Sequence, residues 1–133
     1  MRRKPNFDLA RLAAAAKEGR VNLGKQRARD ILLPLLGDLV TCVEFGCAVV
    51  LALKATDFNV TKNLDGVLYD EYGIHLSGDL LDQFGLEVET WYVKLTEREG
   101  AWGEEVYCLS LHPLEEEMNC IGGRLVPRTR DEP

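Results

Sequence analysis

Tyr92, Lys94, Ser110 and His112 lie in two runs that alternate polar with apolar residues, and a strand's two-residue period puts such residues on one side of a sheet. A histidine takes up or delivers a proton near neutral pH, a lysine balances phosphate charge, and a tyrosine donates a hydrogen bond or stacks on a base. That combination suits RNA cleavage without a metal. A base removes the ribose 2′-hydroxyl proton, cations stabilise the charged phosphorane, and an acid protonates the leaving 5′-oxygen. Tyr69 and Lys62 are the further candidates, Tyr69 beside the same surface and Lys62 as a second source of positive charge. Taken singly, each is an ordinary residue: a strand-end histidine, a solvated lysine, an exposed tyrosine. Only the constellation points to chemistry.

Other chemistries lack their residues. There is no Gly-x-Ser-x-Gly elbow, no complete phosphate-binding Gly-x-x-x-x-Gly-Lys-Ser/Thr loop, since Gln26 follows Gly24-Lys25, and no dinucleotide glycine signature. Cys42, Cys47, Cys108 and Cys120 form no C-x-x-C pair, and His75 and His112 are too scattered to complete a zinc pattern, so no metal or cofactor is expected. Cys42, Cys47 and Cys108 read as reduced, buried side chains and Cys120 as a surface one. Glu115-Glu116-Glu117 reads as solvated charge.

The chain must position these residues with 133 amino acids, 46% hydrophobic and 29% charged, which suit one globular domain. The expected domain covers residues 1–114, followed by a loosely held polar tail over 115–133. The basic start is interrupted by Asp8, Arg11, Lys17 and Glu18, which argues against a signal peptide. Pro34, Gly37, Asp38, Glu44 and Gly46 break the apolar region from Ile31 to Leu53, so the expectation is a soluble cytoplasmic protein with no membrane partner.

Asp8 caps a first helix to about Glu18, closed by Gly19; Asn22 suggests a second over Leu23–Leu36, kinked or ended by Pro34. A third runs from about Val40 to Leu53, although its β-branched residues also allow a strand, and Asp57 to Leu64 suggests a short helical turn carrying Lys62. Strands follow at Val67–Tyr72, Glu87–Glu97 and Glu105–His112, with a loop or one helical turn over 74–86. The expected fold is therefore α+β, with N-terminal helices packed on one face of a small antiparallel sheet. Trp91, Val93, Leu95, Tyr107, Leu109 and Leu111 should meet the helices.

Charge is uneven. Residues 1–62 hold 11 Lys+Arg against 6 Asp+Glu, and residues 63–133 hold 5 against 16. Lys25, Arg27 and Arg29 on the second helix can follow a phosphate backbone, while the acidic half keeps the chain soluble or docks a basic partner.

The order of these segments resembles the MqsR family of bacterial toxins, which are RelE-like mRNA interferases. The resemblance runs from Leu9 to His112. It is carried by Leu9-Ala10-Arg11-Leu12 to Lys17-Glu18-Gly19-Arg20-Val21, by Leu53-Lys54-Ala55-Thr56-Asp57-Phe58, by Leu68-Tyr69-Asp70-Glu71-Tyr72, by Trp91-Tyr92-Val93-Lys94-Leu95-Thr96 and by Leu109-Ser110-Leu111-His112. It implies a RelE-like fold and an endoribonuclease toxin of a type II toxin-antitoxin pair, acting on mRNA and silenced by a cognate antitoxin. Tyr92 matches a functional tyrosine of that family. His112 stands where a lysine is typical, Tyr69 where a glutamine is, and Lys62 lies two residues beyond the family lysine. Two alternatives stand beside this one: a protein-interaction module that kept the fold without catalysis, and a protein that binds nucleic acid without cutting it.

Overall fold

The computed structural model describes residues 3–130. Helix α1, Leu9–Lys17, is capped by Asp8, whose carboxylate accepts from the Ala10 N–H. Strand β1, Val21–Arg27, leads into α2, Arg29–Leu36, and α3, Leu39–Ala52, is capped by Asp38. A 3-10 turn, Ala55–Asp57, precedes the hairpin of β2, Phe58–Leu64, and β3, Val67–His75. Helix α4, Gly78–Phe84, then leads to β4, Thr90–Gly100, and β5, Gly103–Pro113. Two short strands follow, β6, Met118–Cys120, and β7, Gly123–Leu125.

The fold is α+β, but the sheet is mixed. Its order is β1-β5-β4-β3-β2; β2 to β5 are antiparallel neighbours, and β1 joins the far side of β5 in parallel. The helix expected over Leu23–Leu36 therefore begins only at Arg29. Before it, Val21 and Leu23 turn into the core while Asn22, Lys25, Gln26 and Arg27 stay exposed, as an edge strand requires. The helical turn expected over Asp57–Leu64 is replaced by strand β2, and the 3-10 turn lies ahead of it, ending at Asp57. Asp57 does cap locally, accepting from the Lys54 N–H at 2.9 Å, but Phe58 onward is strand, with Lys62 on it. Pro34 sits inside α2 near its end, and the helix stops at Gly37, whose φ of +96° suits glycine.

One face of the sheet carries α1 and α3 on a shared core. Trp91 lies at its centre, edge-on to Phe45 with ring centroids 5.0 Å apart, its indole N–H donating to the Val88 carbonyl at 2.8 Å. The loose tail expected over 115–133 is corrected by the β6–β7 hairpin, which folds back over the opposite face, while 131–133 lie outside the described residues. Gly73 allows the close approach, because a Cβ there would lie 2.8 Å from Met118 Sδ and 3.1 Å from Cys120 Sγ. Cys120 is consequently buried. Further on, Val88 bridges Thr129, and the Glu89 N–H donates to the Arg128 carbonyl at 2.9 Å. Among the described residues no single helix is long and apolar enough to cross a membrane; α2 and α3 reach that length only together, and they bend by 108° at their junction.

Candidate active site

Strict alternation along β5 would put Val106, Cys108, Ser110 and His112 on one face. A bulge changes this: Lys94 pairs with Ser110 while Leu95 pairs with Cys108, leaving Leu109 as the extra residue. Val106 and Cys108 therefore join Leu111 in the core, and Tyr107 and Leu109, expected against the helices, are only half-buried. Ser110 and His112 remain on the other face with Tyr92 and Lys94. Cross-strand pairing sets them in two rows, Glu71–Lys94–Ser110 and Gly73–Tyr92–His112, and the end of β1 adds Arg27 opposite Ser110.

These side chains line a cleft of about 380 Å³, walled by the Leu114–Met118 segment. His112 is 4% exposed. Its Nδ1 lies 2.8 Å from the Pro113 carbonyl, which fixes the proton on Nδ1 and leaves the Nε2 lone pair to accept from Arg27 Nη2 at 2.8 Å. The same Arg27 Nη2 reaches Glu115 Oε1 at 2.6 Å. Burial holds His112 below the usual imidazole range, and the Arg27 and Lys94 charges lower it further against the raising effects of the Pro113 carbonyl and Glu115. The ring is thus neutral at neutral pH, with its Nε2 lone pair available, and is a weaker base than a free imidazole. It stacks on Tyr92, centroids 5.1 Å apart, and the Tyr92 hydroxyl donates to Glu71 Oε1 at 2.5 Å. Burial, the Glu71 hydrogen bond and the Glu71 charge all push the Tyr92 phenol far above its ordinary value, so it acts as a donor and not as an acid.

Glu71 escaped the sequence argument. It is 6% exposed, its Oε2 has no hydrogen bond, and the nearest cation is Lys62 Nζ at 3.8 Å. Its signal was its position two residues after Tyr69, on the same face of β3. Lys62 and Tyr69 face each other across β2 and β3 at the border of the cleft and do not line it, and Lys62 meets the cleft at Glu71. Arg27 is brought to His112, whereas Lys25 and Arg29 lie in a separate groove beside the outer edge of β1. Among the described residues no group of three or more His, Cys, Asp and Glu side chains is placed to hold a metal ion.

No protein-family model matches this chain, and no curated protein matches it.

Proposed function

We propose that the chain is a metal-independent endoribonuclease of the MqsR-like toxin type, cleaving mRNA and neutralised by a cognate antitoxin protein. The observation that carries the cleavage reading is the neutral, lone-pair-bearing Nε2 of His112 set beside Arg27 and Lys94 in one cleft. The toxin and antitoxin part rests on the residue resemblance from Leu9 to His112.

In this mechanism an incoming phosphodiester takes over the Arg27 guanidinium, which frees Nε2 to accept the 2′-hydroxyl proton. The 2′-oxygen attacks phosphorus, with Arg27 and Lys94 offsetting the charge on the phosphorane. The P–O5′ bond then breaks, and the imidazolium just formed returns its proton to the 5′-oxygen. The products are a 2′,3′-cyclic phosphate and a 5′-hydroxyl. Tyr92 holds the imidazole plane by stacking and is itself held by Glu71. Single-turnover cleavage of a defined RNA by wild type and His112→Ala, with circular dichroism as the folding control, tests this. A folded variant that cuts at the wild-type rate overturns it.

One observation favours a second reading. Glu115, Glu116 and Glu117 line the same cleft with Glu71, so four carboxylates face two permanent cations, and a basic peptide would suit that rim as an interaction module. Tight binding of a basic peptide by a chain that cleaves no RNA would favour this alternative.

A further inference from the structure

The groove beside the outer edge of β1 has about 440 Å³ and a different character from the cleft. Three elements send cations into it: Lys25 from β1, Arg29 from the start of α2 and Arg98 from β4. Tyr107 on β5 supplies an aromatic wall, with the Arg98 guanidinium 4.1 Å above its ring centroid, and Leu39 and Val43 of α3 supply an apolar side.

Among the described residues no carboxylate lines the groove. Glu105 reaches two of its lining residues from outside: its Oε1 is 3.7 Å from Arg98 Nε, and its other oxygen accepts from Asn22. Among the described residues Lys25 has no ion pair, and Arg29 stands apart from every other arginine there: its side chain makes neither a hydrogen bond nor an ion pair with any of them. Its Nε is buried without a partner, an arrangement a folded protein bears at a cost. In a chain of net charge −6, three converging cations and a single peripheral acid mark a place meant for an external anion.

We infer that this groove binds the phosphodiester backbone of a single-stranded nucleic acid, with Lys25, Arg29 and Arg98 on phosphates and the Arg98–Tyr107 pair as a platform for a base. Binding in the groove does not depend on whether the cleft cleaves.

The test uses the full chain and a short fluorescein-labelled oligodeoxyuridylate, which has the backbone charge but no 2′-hydroxyl to attack. Anisotropy titrations over a salt series compare wild type with the triple variant Lys25→Gln, Arg29→Gln, Arg98→Gln. The expected result is an affinity at least about tenfold lower and a log–log salt slope smaller by about 2, three contacts at roughly 0.7 each for a single strand. An unchanged slope overturns the groove whatever the cleavage assay gives. Weaker binding by the triple variant, together with absence of cleavage by wild type, upholds the groove and removes only the nuclease reading. If the triple variant fails to fold, Lys25→Gln with Arg98→Gln, both exposed, should lower the slope by about 1.4. Displacement of the oligonucleotide by polyglutamate at matched charge with equal potency would assign the groove to an acidic protein segment and overturn the nucleic-acid reading.

Discussion

The cleft and the groove use similar cations in opposite ways. In the cleft Arg27 is already bound, to Glu115 at 2.6 Å and to His112 at 2.8 Å, so a ligand must displace protein contacts before it gains that guanidinium. In the groove Lys25 and Arg29 have no anion among the described residues to give up. The difference separates binding from turnover: a site with pre-engaged charges favours a ligand that gains most as charge develops in the transition state, while a site with free charges favours attachment.

The largest effect that would break this division is His112→Ala, expected to lower single-turnover cleavage by about 10²–10⁴-fold, the usual share of general acid–base catalysis, with oligonucleotide affinity retained. Equal losses in rate and binding would mean that the two regions form one site.

Tyr92→Phe comes next. It keeps the stack on His112 but removes the hydroxyl that satisfies buried Glu71, so urea unfolding should show a destabilisation of about 1–3 kcal/mol. Stability equal to wild type would mean that Glu71 finds another partner.

Gly73→Val should cost about 1–3 kcal/mol by forcing the β6–β7 hairpin off the sheet, since its Cβ alone would lie 2.8 Å from Met118 Sδ. Because that hairpin continues from the cleft's wall and lies away from the groove, cleavage should fall while the salt slope of binding stays put. A change in the slope would show that the two regions are mechanically joined.

The smallest effect is one of pH. His112 is held below its ordinary value, so cleavage should be flat through neutrality and fall only as acid reaches the lowered imidazole, at a pH below about 6.5. The unfolded chain binds this proton more readily than the folded one, so stability is present at higher pH and is lost as pH falls from the unfolded value through the folded one. In His112→Gln that part of the acid sensitivity should vanish from pH-dependent unfolding curves. An acid limb above the ordinary histidine range would point to a different base.

The sequence made some of this architecture legible and concealed the rest for identifiable reasons. Asp8 and Gly19 bracket a true helix, and the alternation in β3 and β4 reports long antiparallel strands whose partners are adjacent in sequence. Strand β1 shows only two buried alternate positions before a polar run, and its one partner lies far away in sequence, so Asn22 read as a helix cap. Asp57 read as the cap of a turn ahead of it, whereas its carboxylate closes the turn behind it by accepting from the Lys54 N–H, and strand follows. Tyr92, Lys94, Ser110 and His112 were legible as a set because the bulge at Leu109 does not disturb their register. The same bulge reversed Tyr107 and Leu109, and nothing in a period-two pattern announces such an insertion. Glu71 was hidden by its charge, since a lone acid in a strand ordinarily faces water.

Consider finally the parallel pairing of β1 with β5. Val21 pairs with Val106, and the Arg27–His112 contact spans 85 positions. During synthesis, the ribosome releases β1 long before β5 exists, and closing so large a loop is an entropic cost met only once the antiparallel strands are in place. The contact that assembles the cleft therefore forms late, and a nascent chain carries the groove's Lys25 and Arg29 well before it carries a competent His112. Any cutting activity would arise only on completed chains.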